Sequence, residues 1–281
     1  MKVSKMNTVW VLARRELRST LYGVGIYITV VLALILTSFA LRGYLVSVGE
    51  VGYLITPTPY LEPIILFFSP LSLSVTVGSI YLALASATSI AREKDQRTIE
   101  VLFYGPVGYI SYVFSKYLKG ILSYVAMAIL LILYFLLVSL VTNLGLPLKF
   151  FQGLVLSFFL VSCIIGFGII LSTLASTVRS SVLLLLALII ILWGVDLGAS
   201  ILSIINIPTS SPVTLLQDSM SIINGGLRWV SPFGYFREGL IAISLESPTK
   251  YLISLVSSAI YSALLLALAM IILRMKGIRT A

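Results

Sequence analysis

The stretch SIAREKDQRTIEVLFYGPVGYISYVFSKYLKG, Ser89–Gly120, decides how the rest of the chain is read. It is the longest charged passage in a chain with few charges. Arg92, Glu93, Lys94, Asp95, Arg97 and Glu100 fall within nine residues. Apolar runs of membrane-spanning length lie on both sides. A short apolar helix signal follows from Ile99 to Phe103 and breaks at Gly105-Pro106, because proline has no N–H and glycine is permissive. Tyr109, Tyr112, Lys116, Tyr117 and Lys119 then lead back toward lipid. A compact charged helix held at a membrane face is shaped to touch a soluble partner.

Composition bounds the class. The chain has 281 residues, 59% of them hydrophobic and 10% charged, against roughly 25% charged in an ordinary soluble domain. The excess marks an integral membrane protein. The single cysteine, Cys163, lies inside an apolar run, so there is no disulfide framework. The chain has no histidine, which removes the commonest metal ligand and the usual general base. No metal site is expected. The N-terminal residues are too polar, and the first apolar run too long, for a cleavable signal, so that run reads as an uncleaved anchor.

The spans follow in order. Residues 3–21 read as an amphipathic helix on the membrane surface, with Met6, Val9, Trp10, Ala13, Leu17 and Leu21 at spacings of three and four. Lys5, Arg14, Arg15 and Arg18 can reach lipid phosphates there. The alternative is a basic flank of the first span. Transmembrane helices are expected at 22–41, 64–91 (kinked near its start by Pro70), 121–141, 154–175, 182–203 and 251–273, since about 20 residues cross the bilayer core. Residues 92–120 form the charged loop. Residues 204–250 are too long for a turn and too apolar for a free loop, and read as two short helices on the opposite face. In the second, Ser231-Pro232 supply an N-cap and a proline at the first helical position. Phe233, Phe236, Leu240 and Ile243 follow at helical spacing.

Six spans put both termini on one side. With those termini cytoplasmic, fourteen of the nineteen basic residues fall inside, as the positive-inside rule requires. The net charge of +9 is thereby explained without nucleic acid. The charged loop is cytoplasmic on this reading.

In the order Glu93-Lys94-Asp95, Thr98-Ile99-Glu100, Pro106-Val107, Lys116 and Gly120, the chain resembles the permease subunits of ABC-2-type ABC transporters. It departs from their pattern at Arg97, where the family usually carries glycine. The segment Ser231-Pro232-Phe233, Phe236, Gly239 resembles the gliding-motility-type and copper-maturation-type permeases of that superfamily. The resemblance implies an all-α fold of six transmembrane helices with an N-terminal elbow helix, a cytoplasmic coupling helix and short extracellular helices before the last span. It implies docking of a separate ATPase through Glu93, Asp95, Arg97, Thr98, Glu100, Leu102, Phe103 and Pro106. Leu102 and Phe103 would be the apolar knob and the charges would set its orientation. The bland alternative is a solvated charge run. Ser231, Pro232, Phe233 and Phe236 would form an extracellular lid; the alternative is an ordinary surface helix.

Asp196 is the acid inside a span, where a charge costs roughly 2.5–3.5 kcal/mol. It reads either as a polar point on a pathway or dimer contact, or as a group near the outer end reaching water. Gly194 and Gly198 bracket it in a small-xxx-small pattern that suits close helix approach, within the chain or between two copies. Tyr104, Tyr109, Tyr112, Tyr117 and Tyr124 read as an interfacial belt. The six methionines are scattered and lack partners for soft-metal transport.

Enzyme chemistry finds no support. The sequence has no Gly-x-x-x-x-Gly-Lys-Ser/Thr phosphate loop, and no histidine for a triad. ATP and magnesium are expected on a partner ATPase, with no cofactor on this chain. The reading is therefore a plasma-membrane permease half of an ATP-driven exporter. Its expected partners are two ATPase copies, a second permease half, identical or homologous, and membrane lipids. The rival readings are a non-transporting membrane scaffold and an ion-coupled carrier built on Asp196.

Overall fold

The computed structural model describes residues 5–51, 69–99, 108–142, 148–204 and 230–276, with 219, 222, 225 and 226, apart from the side chains of 5–8, 43–51, 142, 193–204 and 276. The long elements among the described residues are eight helices, with no strand: α1 Lys5–Leu21, α2 Val24–Val51, α3 Pro70–Asp95, α4 Tyr109–Thr142, α5 Leu148–Leu174, α6 Val178–Ile204, α7 Pro232–Ser244 and α8 Pro248–Lys276.

Five of these have described stretches long and apolar enough to cross a bilayer: Val24–Arg42, Pro70–Asp95, Tyr109–Val141, Leu148–Leu174 and Pro248–Met275. The expected fifth span, 182–203, falls in α6, whose described apolar part is Val178–Leu192. Large apolar side chains stand exposed at helical spacing on the outer faces: Val31, Ile35 and Phe39 on α2, and Val256, Ile260 and Leu264 on α8. Such continuous apolar faces are out of place in water and at home in lipid. The chain is a multi-pass α-helical membrane protein.

Helix ends follow local chemistry. Pro70 opens α3 rather than kinking it. The Ser69 hydroxyl caps the helix by accepting from the Ser72 N–H at 3.2 Å, and Pro70 takes the first turn, where no N–H is needed. The α4 helix starts at Tyr109, well before the expected 121, and its 34 residues extend about 51 Å at 1.5 Å per residue. That exceeds a core of about 30 Å, so one end projects past the hydrocarbon. Its two early lysines are accommodated because both meet carboxylates.

The central element is α5, packed against α3, α4, α7 and α8. Small residues make this possible. A Cβ on Gly168 would sit 2.7 Å from the Ser86 Cβ and 2.9 Å from the Ala83 carbonyl oxygen of α3, so the two backbones meet with nothing between them. Polar pairs add to the packing between α4 and α5: Tyr124 with Ser157 at 2.5 Å, and Tyr117 with Ser162. Tyr112 and Tyr124 are thus buried inside the bundle, and the expected interfacial belt does not describe them. A tyrosine hydroxyl away from water needs a partner, and another helix supplies it.

The α7 helix begins after Ser231 with Pro232 in its first turn and ends at a Leu245 cap. The Ser247 N–H reaches the Ala242 carbonyl, the Glu246 N–H reaches the Ile243 carbonyl, and Glu246 has φ 53°. This is a Schellman ending. Phe236, Gly239, Leu240 and Ile243 face inward, and a Cβ on Gly239 would meet Leu156 of α5 at 2.4 Å. The Tyr261 hydroxyl of α8 donates to the Val230 carbonyl at 2.6 Å.

Candidate functional site

The site lies where α3 ends, α4 begins and α1 passes. Lys116 on the second turn of α4 is its hub, with a side chain only 4% exposed. A buried ammonium requires opposite charge and hydrogen-bond acceptors. It donates to Glu16 Oε1 of α1 at 2.5 Å and to Glu93 Oε1 of α3. It also lies 5.3 Å from the ring centroid of Tyr112, a cation–π distance. The Tyr112 hydroxyl donates to the other Glu93 oxygen at 2.5 Å. Lys119, one turn on, faces Glu16 Oε2 at 3.9 Å. Two carboxylates and two ammoniums balance, and three helices are joined.

Glu93 is thus committed inward. Asp95, Arg97 and Thr98 are exposed beside it. The structure brings these four expected docking residues to one end of α3 but turns them two ways. Glu100, Leu102, Phe103 and Pro106 lie outside the described residues.

The turn itself is defined. The Gln96 N–H reaches the Arg92 carbonyl, the Arg97 N–H reaches the Lys94 carbonyl, and Arg97 has φ 55°. This left-handed residue after the cap is the position where glycine is most at ease. The Thr98 hydroxyl covers the Glu93 carbonyl at 3.3 Å. Arg97 therefore keeps the turn that a glycine would make, at some conformational cost.

A second set of bonds ties the same end of α3 to the α5–α6 junction. The Ser172 hydroxyl accepts from the Ile90 and Ala91 N–H groups at 2.9 and 2.8 Å. The Ser181 hydroxyl donates to the Ala87 carbonyl at 2.5 Å. Lys94 donates to the Thr173 and Ala175 carbonyls at 2.5 and 3.1 Å, placing a cation on the negative C-terminal end of α5. Displacing the loop would pull on α1, α4, α5 and α6 together.

Sequence reasoning passed over Glu16, Ser172 and Ser181, and gave Lys94 no anchoring role. Glu16 left one trace: it is the sole acid before Glu50, set among Arg14, Arg15 and Arg18. The serines left none, since a serine in an apolar run looks like any other small residue.

The other expected residues sit apart from this cluster. The α6 helix runs through Gly194, Asp196 and Gly198, whose side chains lie outside the described residues. Ser231, Pro232, Phe233 and Phe236 are on or just before α7. Pro232 and Phe233 line an apolar crevice with Ile164, Phe167, Leu185 and Ile189. Among the described residues, no group of three His, Cys, Asp or Glu could hold a metal.

Two comparisons bear on the chain. A family model described as ABC-2 family transporter protein matches residues 10–276. No curated protein matches the chain.

Proposed function

The chain belongs to the ABC-2 family of transporter proteins, and on that premise we propose that it is one of two permease halves of an ATP-driven exporter. The family is a membrane component without ATPase activity of its own, and it works with an ABC ATPase component. Docking of that ATPase on the loop after α3, two ATPase copies, a second permease half and a plasma-membrane setting with cytoplasmic termini belong to the proposal.

The observation that carries this reading is the clamp at the loop's base. Lys116 binds Glu93 and Glu16, while Asp95, Arg97 and Thr98 are left exposed. A free solvated turn needs no buried ion cluster at its root. A lever does, because force applied at its tip must reach the spans without being lost in local bending. In the proposed cycle, closure of the ATPase pair pushes the loop. The Glu93–Lys116–Glu16 contacts carry the push to α4 and α1, and Lys94, Ser172 and Ser181 carry it to α5 and α6. The α7 helix, with Phe233 over the crevice, serves as the lid on the far side. Export is the favoured direction by analogy with the resembling permeases.

The test is a pull-down of the tagged chain in mild detergent. An ABC ATPase should co-purify, and D95K should weaken its recovery while membrane insertion is retained. Recovery of an active particle with no ATPase, or undiminished recovery with D95K and R97E combined, would count against the reading. Uptake of cargo into inverted vesicles on adding ATP would support export.

A further inference from the structure

The apolar crevice lies within one chain, between α3, α5, α6 and the start of α7, with Ile80, Ala83, Leu185, Ile189 and Phe233 among its walls. Leu185 and Leu192 stand seven and fourteen residues after Val178, where α6 begins. At 1.5 Å per residue they are about 10 and 21 Å along that helix, in the middle of a hydrocarbon core of about 30 Å. The start of α7 reaches the same depth. Val230 is held by Tyr261, thirteen residues past Pro248 in α8, and so lies about 20 Å from that end of α8. Ser79, the polar side chain among the described lining residues, donates its hydroxyl to the Thr76 carbonyl at 2.8 Å. A buried water needs about two to four polar partners, and this lining offers little beyond that committed hydroxyl. Ile80 is 40% exposed, so the crevice opens sideways at the depth of lipid tails.

We propose that this crevice seats an uncharged, apolar cargo taken sideways from the hydrocarbon of the bilayer. The lining selects the occupant, because a polar or charged molecule would give up its water there and gain no hydrogen bond in return. The walls favour cargo over a fixed lipid. The α3, α5 and α6 helices are the ones joined at the loop by Lys94, Ser172 and Ser181, so displacing the loop alters the space between them. A resident lipid has no need of that link. That the occupant is cargo rests on the permease reading above; that the crevice binds an apolar molecule does not.

The experiment uses the full chain in phosphatidylcholine nanodiscs with hexadecane carrying a photoreactive diazirine, and mass spectrometry to locate the adducts. Adducts should form on Ile80, Leu185 and Ile189, and excess unlabelled hexadecane should remove them. I80W, which fills the mouth, should lose these adducts and keep those on the exposed face of α8 at Val256 and Ile260. Phosphatidylcholine with the same diazirine in its tail should label the crevice no more than that α8 face. Crevice adducts that excess hexadecane leaves in place, equal labelling of the crevice by the two probes, or unchanged labelling in I80W would each overturn the proposal. This arm contains no ATPase, so failure of the docking reading leaves its outcome untouched. In the particle with its ATPase, ATP should lower the crevice labelling. Labelling unmoved while ATP is hydrolysed would make the occupant a resident one and overturn the cargo assignment.

Discussion

Lys116 Nζ and Glu16 Oε1 lie 2.5 Å apart although a hundred residues separate them in the chain. With Glu93 on its other side, Lys116 holds two carboxylates from two other helices. Its side chain is almost wholly buried, so the three groups stand or fall together.

Removing the lysine alone leaves Glu93 only the Tyr112 hydroxyl and Glu16 only the more distant Lys119. K116Q is expected to destabilise the protein by about 3–5 kcal/mol, the usual cost of breaking a buried pair from one side. Thermal unfolding in detergent reads this out. The quadruple variant E16Q/E93Q/K116Q/K119Q removes both acids and both ammoniums, strands no charge of the cluster, and should recover much of the loss. A quadruple variant as unstable as K116Q would show that charge pairing is not the cause.

Arg97 holds φ 55°, which costs a non-glycine residue roughly 1–2 kcal/mol. R97G should therefore leave stability level or raise it by up to about 1 kcal/mol, the gain reduced by glycine's freer unfolded chain. R97V should lower it, since a branched side chain fits that region worse. Paired melting curves decide the point, and a lower midpoint for R97G would contradict it.

Gly168 meets the α3 backbone, which has no side chain to swing aside. G168A is expected to cost about 1–3 kcal/mol, the range for overpacking. The effect should appear as faster hydrogen exchange along Ala83–Ala91 and Ile164–Leu174. Exchange unchanged in both segments would mean that the two helices do not pack this closely.

On the opposite side of the fold, Lys149 donates to Glu246 at 2.7 Å. This hydrogen bond, with the attraction of the same ammonium, holds the Glu246 carboxyl below its ordinary value. A carboxyl lowered by folding stabilises at pH above its unfolded value, and the benefit fades as pH falls through the folded value. Glu246 is exposed, so water and salt screen the pair and the effect is small. Acidification should lower the protection of the α7–α8 turn amides, measured as exchange relative to the intrinsic rate at each pH, and K149Q should abolish that pH dependence. A turn that loosens equally with K149Q would assign the effect to another group.

The membrane class and the loop were legible in the sequence because both are written in one dimension. Twenty apolar residues cross a bilayer whatever their neighbours do, and six charges in nine residues between two such runs have to sit at a surface. The Pro232 start of α7 was legible for the same reason, since a proline suits a first turn, although the Ser231 hydroxyl makes no capping bond there. The partners of those charges were not. Glu93 and Asp95 are two residues apart, of one charge and similar size, and nothing local says that the first is bound inward and the second left outside.

That division was made by Glu16 and Lys116, on helices brought together only when the bundle closes. Ser172 and Ser181 acquired their roles the same way, by meeting the end of α3. Hydropathy depends on what a residue is; a buried ion pair depends on what arrives beside it. The sequence by itself therefore determined that this is an all-helical membrane protein with a charged loop between spans. The tertiary structure decided which charges hold that loop in place and which are left exposed, because low dielectric makes an unpaired buried charge too costly to keep.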